Sequence, residues 1–152
     1  MPGILIVAYG NPLRSDDGVA WRAADLLEGR LPGSEILRLH QLTPELSEAI
    51  RDFDCVIFID AAANDNSWVK PGTIRVEEII TDSIEPSRFS HAFSPQRIVG
   101  MAEQLYGAHP RAFVVTVTGA CFDHGSAVSA EVSNALPELI ATIERVARQF
   151  LA

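Results

Sequence analysis

Residues 4–18 read ILIVAYGNPLRSDDG, and this stretch constrains the fold more than any other part of the chain. The unbroken apolar run Ile4–Tyr9 reads as a strand buried on both faces, the pattern of a parallel sheet covered by helices. It stops abruptly at Gly10-Asn11-Pro12. Asp16 and Asp17 follow, directly ahead of a helical pattern. A buried strand, a turn and an acidic helix start place charged side chains at the carboxyl edge of a sheet. That edge is where open α/β sheets bind ligands. Asp16 and Asp17 are therefore the first candidates for chemistry.

The remaining pattern continues the alternation. From Gly18 to Leu27, small and apolar residues (Val19, Ala20, Ala23, Ala24, Leu27) recur at helical spacing, with Ser15 or Asp16 placed to cap the helix. Glu35–Leu39 reads as a second strand, and Thr43-Pro44-Glu45 as the start of a helix towards Ile50. Cys55–Ile59 is another apolar strand, ending in Asp60. Residues 61–72 read as a loop, Thr73–Ile80 as an edge strand, and residues 81–94 as an irregular segment rich in Ser and Pro. Ser94-Pro95 begins a helix towards Tyr106. Ala112–Val117 is a β-branched strand, residues 118–129 a loop, and Ala130–Phe150 a long helix that Pro137 is expected to interrupt and kink.

Strands alternating with helices predict a three-layer α-β-α fold, with a mainly parallel twisted sheet of about five strands. The 152 residues suit a single domain spanning 1–152. Right-handed crossovers bring strand 4–9 beside strand 55–59, with their carboxyl ends at one edge. Asp17 and Asp60 are thus expected to approach each other.

Composition excludes several partners. The formal net charge is -8 and no Lys/Arg cluster occurs. Neither nucleic acid nor an anionic membrane surface suits such a chain. Cys55 and Cys121 are the two cysteines, with no C-x-x-C spacing, so neither a disulfide framework nor a cysteine-rich zinc site is expected. No secretory signal or membrane span is apparent, and the expected location is the cytoplasm.

Two carboxylates at one concave edge can ligate a metal or handle protons. They can also do something simpler: Asp16 and Asp17 would complement a helix N-terminus, and Asp60 would cap a turn. Of the four histidines, His91 lies in the irregular segment just before a helix start. It is the best-placed nitrogen donor for an Asp/Asp/His site, a mixed set that suits nickel, zinc or a similar divalent ion. His40 and His124 lie near strand ends and rank below it; His109, before Pro110, reads as structural. There is no G-x-S-x-G elbow, no H-E-x-x-H helix and no dinucleotide fingerprint.

The segments Gly10-Asn11-Pro12-Leu13-Arg14-Ser15-Asp16-Asp17-Gly18, Asp60-Ala61, Ser90-His91 and Ser94-Pro95 resemble those of the hydrogenase maturation endopeptidases. The resemblance continues through Val115–Ala120 and Ser129–Leu136. It implies an endopeptidase, of aspartic or metal-assisted type. Such an enzyme removes the C-terminal extension of a nickel–iron hydrogenase large-subunit precursor after nickel insertion. By position, the resemblance makes Asp17, Asp60 and His91 the catalytic residues and the ligands of the nickel carried by the substrate, with no permanent cofactor. Asn11 and Asp16 are read as holding the loop. Ala20 departs from the glycine common in relatives, which concerns helix packing. The alternative on the same ligands is a non-cleaving chaperone that checks nickel or binds the precursor. A small-metabolite hydrolase on the same fold is a third reading.

Overall fold

The computed structural model describes residues 3–63, 68–81 and 93–151. Its strands are β1 (Ile4–Tyr9), β2 (Ser34–Leu39), β3 (Cys55–Ala62), β4 (Ile74–Glu78) and β5 (Arg111–Thr118). The α-helices are α1 (Val19–Leu27), α2 (Leu46–Ile50), α3 (Pro95–Tyr106) and α4 (Ala130–Arg148). The sheet runs in the order β2-β1-β3-β5-β4. Every pairing is parallel except β4 with β5. The expected α/β class and mainly parallel five-stranded sheet are observed.

The period of two along the strands builds two separate cores. Ile4, Ile6 and Ala8 of β1, Cys55, Ile57 and Ile59 of β3, and Val115 and Val117 of β5 face α1 and α4. Leu5 and Val7, Val56 and Phe58, and Ala112 and Val114 face the other way, against Leu46 and Ile50 of α2 and Ile98 and Ala102 of α3. These strands are apolar throughout because both faces are dry.

Helix boundaries follow local chemistry, with three departures from expectation. Ser94 caps α3, accepting from Arg97 N at 3.1 Å, and Ser129 caps α4, accepting from Val132 N at 3.3 Å. No side chain caps α1; a 3-10 turn, Ser15–Gly18, leads into it. The cap expected from Ser15 or Asp16 is absent because both side chains bond elsewhere. Thr43-Pro44-Glu45 forms a turn, and regular helix starts only at Leu46. Finally, α4 passes through Pro137 as one element. The carbonyl that Pro137 leaves without an N–H belongs to Ser133, and both residues lie on the solvent face, where water serves the orphaned oxygen.

Candidate active site

Parity decides which strand-end side chains meet. Tyr9 continues the Leu5, Val7 face of β1, and Asp60 continues the Val56, Phe58 face of β3. The strands pair in register up to Ala8 with Ile59. One residue further, Tyr9 and Asp60 become neighbours on the same face. The Tyr9 hydroxyl donates to Asp60 Oδ2 at 2.8 Å.

Asp17 reaches the same place from the loop after β1. Gly10 sits at φ +143°, and a Cβ there would fall 2.1 Å from the Asp17 carbonyl oxygen. Only glycine permits that approach of backbone to backbone. It brings Asn11 N within 2.7 Å of Asp17 Oδ2, and the amide donates to the carboxylate. Asp17 and Asp60 line one cleft of about 420 Å³ together with Tyr9, Gly10, His40, Thr43 and Phe93.

The electrostatics of the cleft are unequal. Burial, reinforced by the charge of Asp17, pushes the Asp60 carboxyl up to about 6, although donors from Tyr9 and the Ala61 amide work against the rise. Burial and the Asp60 charge raise the Tyr9 phenol far above its usual range, so it stays a neutral donor. A carboxyl close to neutrality in a cleft is the kind of group that serves proton transfer or ligation.

Asp16 has a different role. It is fully buried. Its Oδ2 accepts from Ala120 N at 2.7 Å, Cys121 N at 2.9 Å and Ser129 Oγ at 2.9 Å, and its Oδ1 accepts from Ser129 N at 2.6 Å. Burial alone would raise its pKa; the four donors outweigh that and hold it below the ordinary carboxylate range. Asp16 ties the β1–α1 loop to the segment between β5 and α4. It is no part of the cleft, and the loop-holding role suits it.

His91 lies outside the described residues, so the expected third ligand is not placed. Among the described residues, no three His, Cys, Asp or Glu side chains gather closely enough to hold a metal ion. His40, ranked low from sequence, lines the cleft. His124 is exposed in the loop before α4, and His109 is exposed, 3.9 Å from Glu103. Cys55 is buried in the core and burial pushes its thiol up to about 12; it is inert packing. Sequence reasoning missed Tyr9. Its signal was available: it ends an alternating face one step beyond Val7, beside the strand that carries Asp60.

Solved structures share this fold over nearly the whole chain. The hydrogenase maturating endopeptidase HybD from E. coli superposes with a TM-score of 0.74 at 20% identity, covering 97% of this chain and 93% of its own. The [NiFe] hydrogenase maturation protease HybD from Thermococcus kodakarensis gives 0.73 at 20% identity, covering 95% and 99%. The chain has the fold of the hydrogenase maturation endopeptidases. A second Thermococcus kodakarensis protease, HycI, superposes at 0.71 with 17% identity, covering 96% and 92%. No protein-family model matches the chain, and no curated protein matches it by sequence. No helix among the described residues is long and apolar enough to cross a membrane.

Tyr9→Phe tests how the maturation-endopeptidase fold supports its strand-end carboxylate here. The ring and its packing stay while the O–H donor goes. A hydrogen bond to the ionised form favours that form, so the Asp60 pKa is expected to rise further above about 6. Carbon-detected NMR titration of the Asp60 carboxyl measures it; an unchanged pKa would show that the contact has no influence on the carboxylate.

Proposed function

We propose that this protein is an endopeptidase that removes the C-terminal extension of a nickel–iron hydrogenase large-subunit precursor after nickel insertion. The observation that carries the reading is the meeting of Asp17 and Asp60 in one cleft, within the fold of maturation endopeptidases. In this reading Asp17, Asp60 and His91 take hold of the nickel ion borne by the precursor. The nickel belongs to the substrate, and the enzyme keeps no metal of its own. Two carboxylates and an imidazole leave positions open for an ion already held by substrate side chains. The reading places the reaction in the cytoplasm, where precursor and enzyme meet.

The chemistry is hydrolysis of one peptide bond. Water adds to the scissile carbonyl carbon, the C–N bond breaks, and the departing amine takes a proton. A cleft carboxylate not engaged by the ion would accept the proton of that water. Nickel at the same edge would polarise the carbonyl or acidify the water.

The test is incubation with precursor loaded with nickel and with precursor free of it, followed by intact-mass measurement. Loss of the C-terminal peptide from the nickel-loaded precursor alone is expected. A nickel-loaded precursor that binds but keeps its mass would overturn the peptidase reading in favour of a chaperone. The purified enzyme is further expected to retain no stoichiometric metal after chelation and gel filtration, as read by elemental analysis. Retained metal would instead make it a conventional metallopeptidase.

A further inference from the structure

We propose that His40 is a substrate-contacting residue of the cleft, its imidazole donating to a main-chain carbonyl of the precursor, and that Trp21 holds the ring in position. The inference rests on the peptidase reading above and adds a residue to it.

His40 is the first residue beyond β2 and is exposed. An exposed histidine ordinarily samples several rotamers, but this one is braced. Its ring lies 5.0 Å from that of Trp21, tilted by 57°. Trp21, on α1, is itself fixed: its Nε1 donates to the Leu39 carbonyl at 3.0 Å. The same carbonyl accepts from Gly10 N at 3.0 Å. One oxygen thus ties together the end of β2 just before His40, the turn after β1 that brings in Asp17, and the indole that braces the imidazole. His40 is registered against the carboxylates by the backbone at Leu39 and by its ring contact with Trp21.

The cleft's chemistry indicates what the ring meets. Asp17 and Asp60 make one wall an acceptor wall. Among the described lining residues, His40 is the one side chain able to carry positive charge. A metal held at the carboxylates leaves the peptide next to it needing a donor for its carbonyl oxygens. A braced imidazole provides that donor without an ordering cost at the moment of binding. The ring is exposed and is not a buried member of either core.

The experiment is steady-state processing of a nickel-loaded hydrogenase large-subunit precursor by the wild type and by His40→Ala, His40→Gln and Trp21→Phe, with a thermal melt of each. His40→Ala is expected to raise KM about tenfold, the worth of one lost hydrogen bond, with kcat within about threefold and the melt unchanged. His40→Gln, which keeps a donor, recovers most of the loss. Trp21→Phe keeps a ring but frees it from Leu39, and falls between. A wild-type KM for His40→Ala, no recovery in His40→Gln, or losses that track a lowered melt would each overturn the assignment while leaving the peptidase reading intact. A wild type that leaves the precursor uncut would instead overturn the peptidase reading, and the assignment with it.

Discussion

Asp60→Asn is expected to abolish processing of a nickel-loaded precursor and, at neutral pH, to make the folded chain more stable. The amide keeps the size of the carboxylate and still accepts from the Tyr9 hydroxyl, so the local packing survives. The anionic oxygen needed for ligation or proton transfer is gone. The stability change follows from the raised pKa. In the folded chain the carboxyl is pushed up to about 6, first by burial and then by the charge of Asp17; unfolded, it titrates at about 3.9. Between those values the folded state binds more protons than the unfolded state. Stability therefore falls as pH rises from about 4 to about 6 and stays lower above that. Removing the charge returns on the order of 3 kcal/mol at pH 7. The measurements are intact mass of the precursor and urea unfolding at pH 4 and pH 7. A folded Asp60→Asn enzyme that cuts at near-normal rate would return Asp60 to the status of a turn cap.

The same substitution at Asp16 is expected to do the reverse to stability. Both Asp16 oxygens accept hydrogen bonds, three donors on Oδ2 and one on Oδ1. In Asp16→Asn the amide –NH2 must face a backbone N–H whichever way it flips, at a position that is fully buried. Losing two or more charge-assisted bonds costs about 3 kcal/mol or more, a fall of roughly 10 °C in Tm for a chain of this size. Because the folded pKa is lowered, this contribution is complete at neutral pH. It is lost as pH falls below the ordinary carboxylate range. Calorimetry of Asp16→Asn at pH 7 and pH 3 checks both parts; a variant with a wild-type melt at pH 7 would show that the bonded network is dispensable. Asp60 and Asp16 are thus expected to respond in opposite senses, since one carries a functional charge at a cost and the other anchors a loop.

Much of the architecture was legible beforehand. The continuous apolar runs of β1, β3 and β5 mark strands buried on both faces, and Ser94-Pro95 announces α3 at its first residue. The departures arise where a side chain found a distant partner. Asp16 and Ser15 have the right chemistry to cap α1, but their partners lie 104 to 113 positions away for Asp16 and 108 for Ser15. Local spacing carries no trace of such contacts. Pro137 reads as a breaker by local rules, and the exposure of Ser133 removes the penalty. For the site, Asp17 and Asp60 were readable as strand-end carboxylates, because parallel topology brings the ends of neighbouring strands to one edge.

By itself, the sequence determined the fold class, the strands and the edge at which carboxylates gather. Those properties follow from hydrophobic period and from turn chemistry, both of which are local. The resemblance had pointed to Asp17 rather than Asp16, and only the tertiary structure supplied the physical reason. Asp16 and Asp17 are adjacent and chemically identical, and the 3-10 turn Ser15–Gly18 sends one into the protein and the other to the cleft. The same holds for Tyr9 and His40. A phenol at a strand end and an imidazole after another became parts of one site when strand register and the Leu39 carbonyl set their positions. Register and shared backbone acceptors are properties of paired strands, and no single stretch of chain contains them.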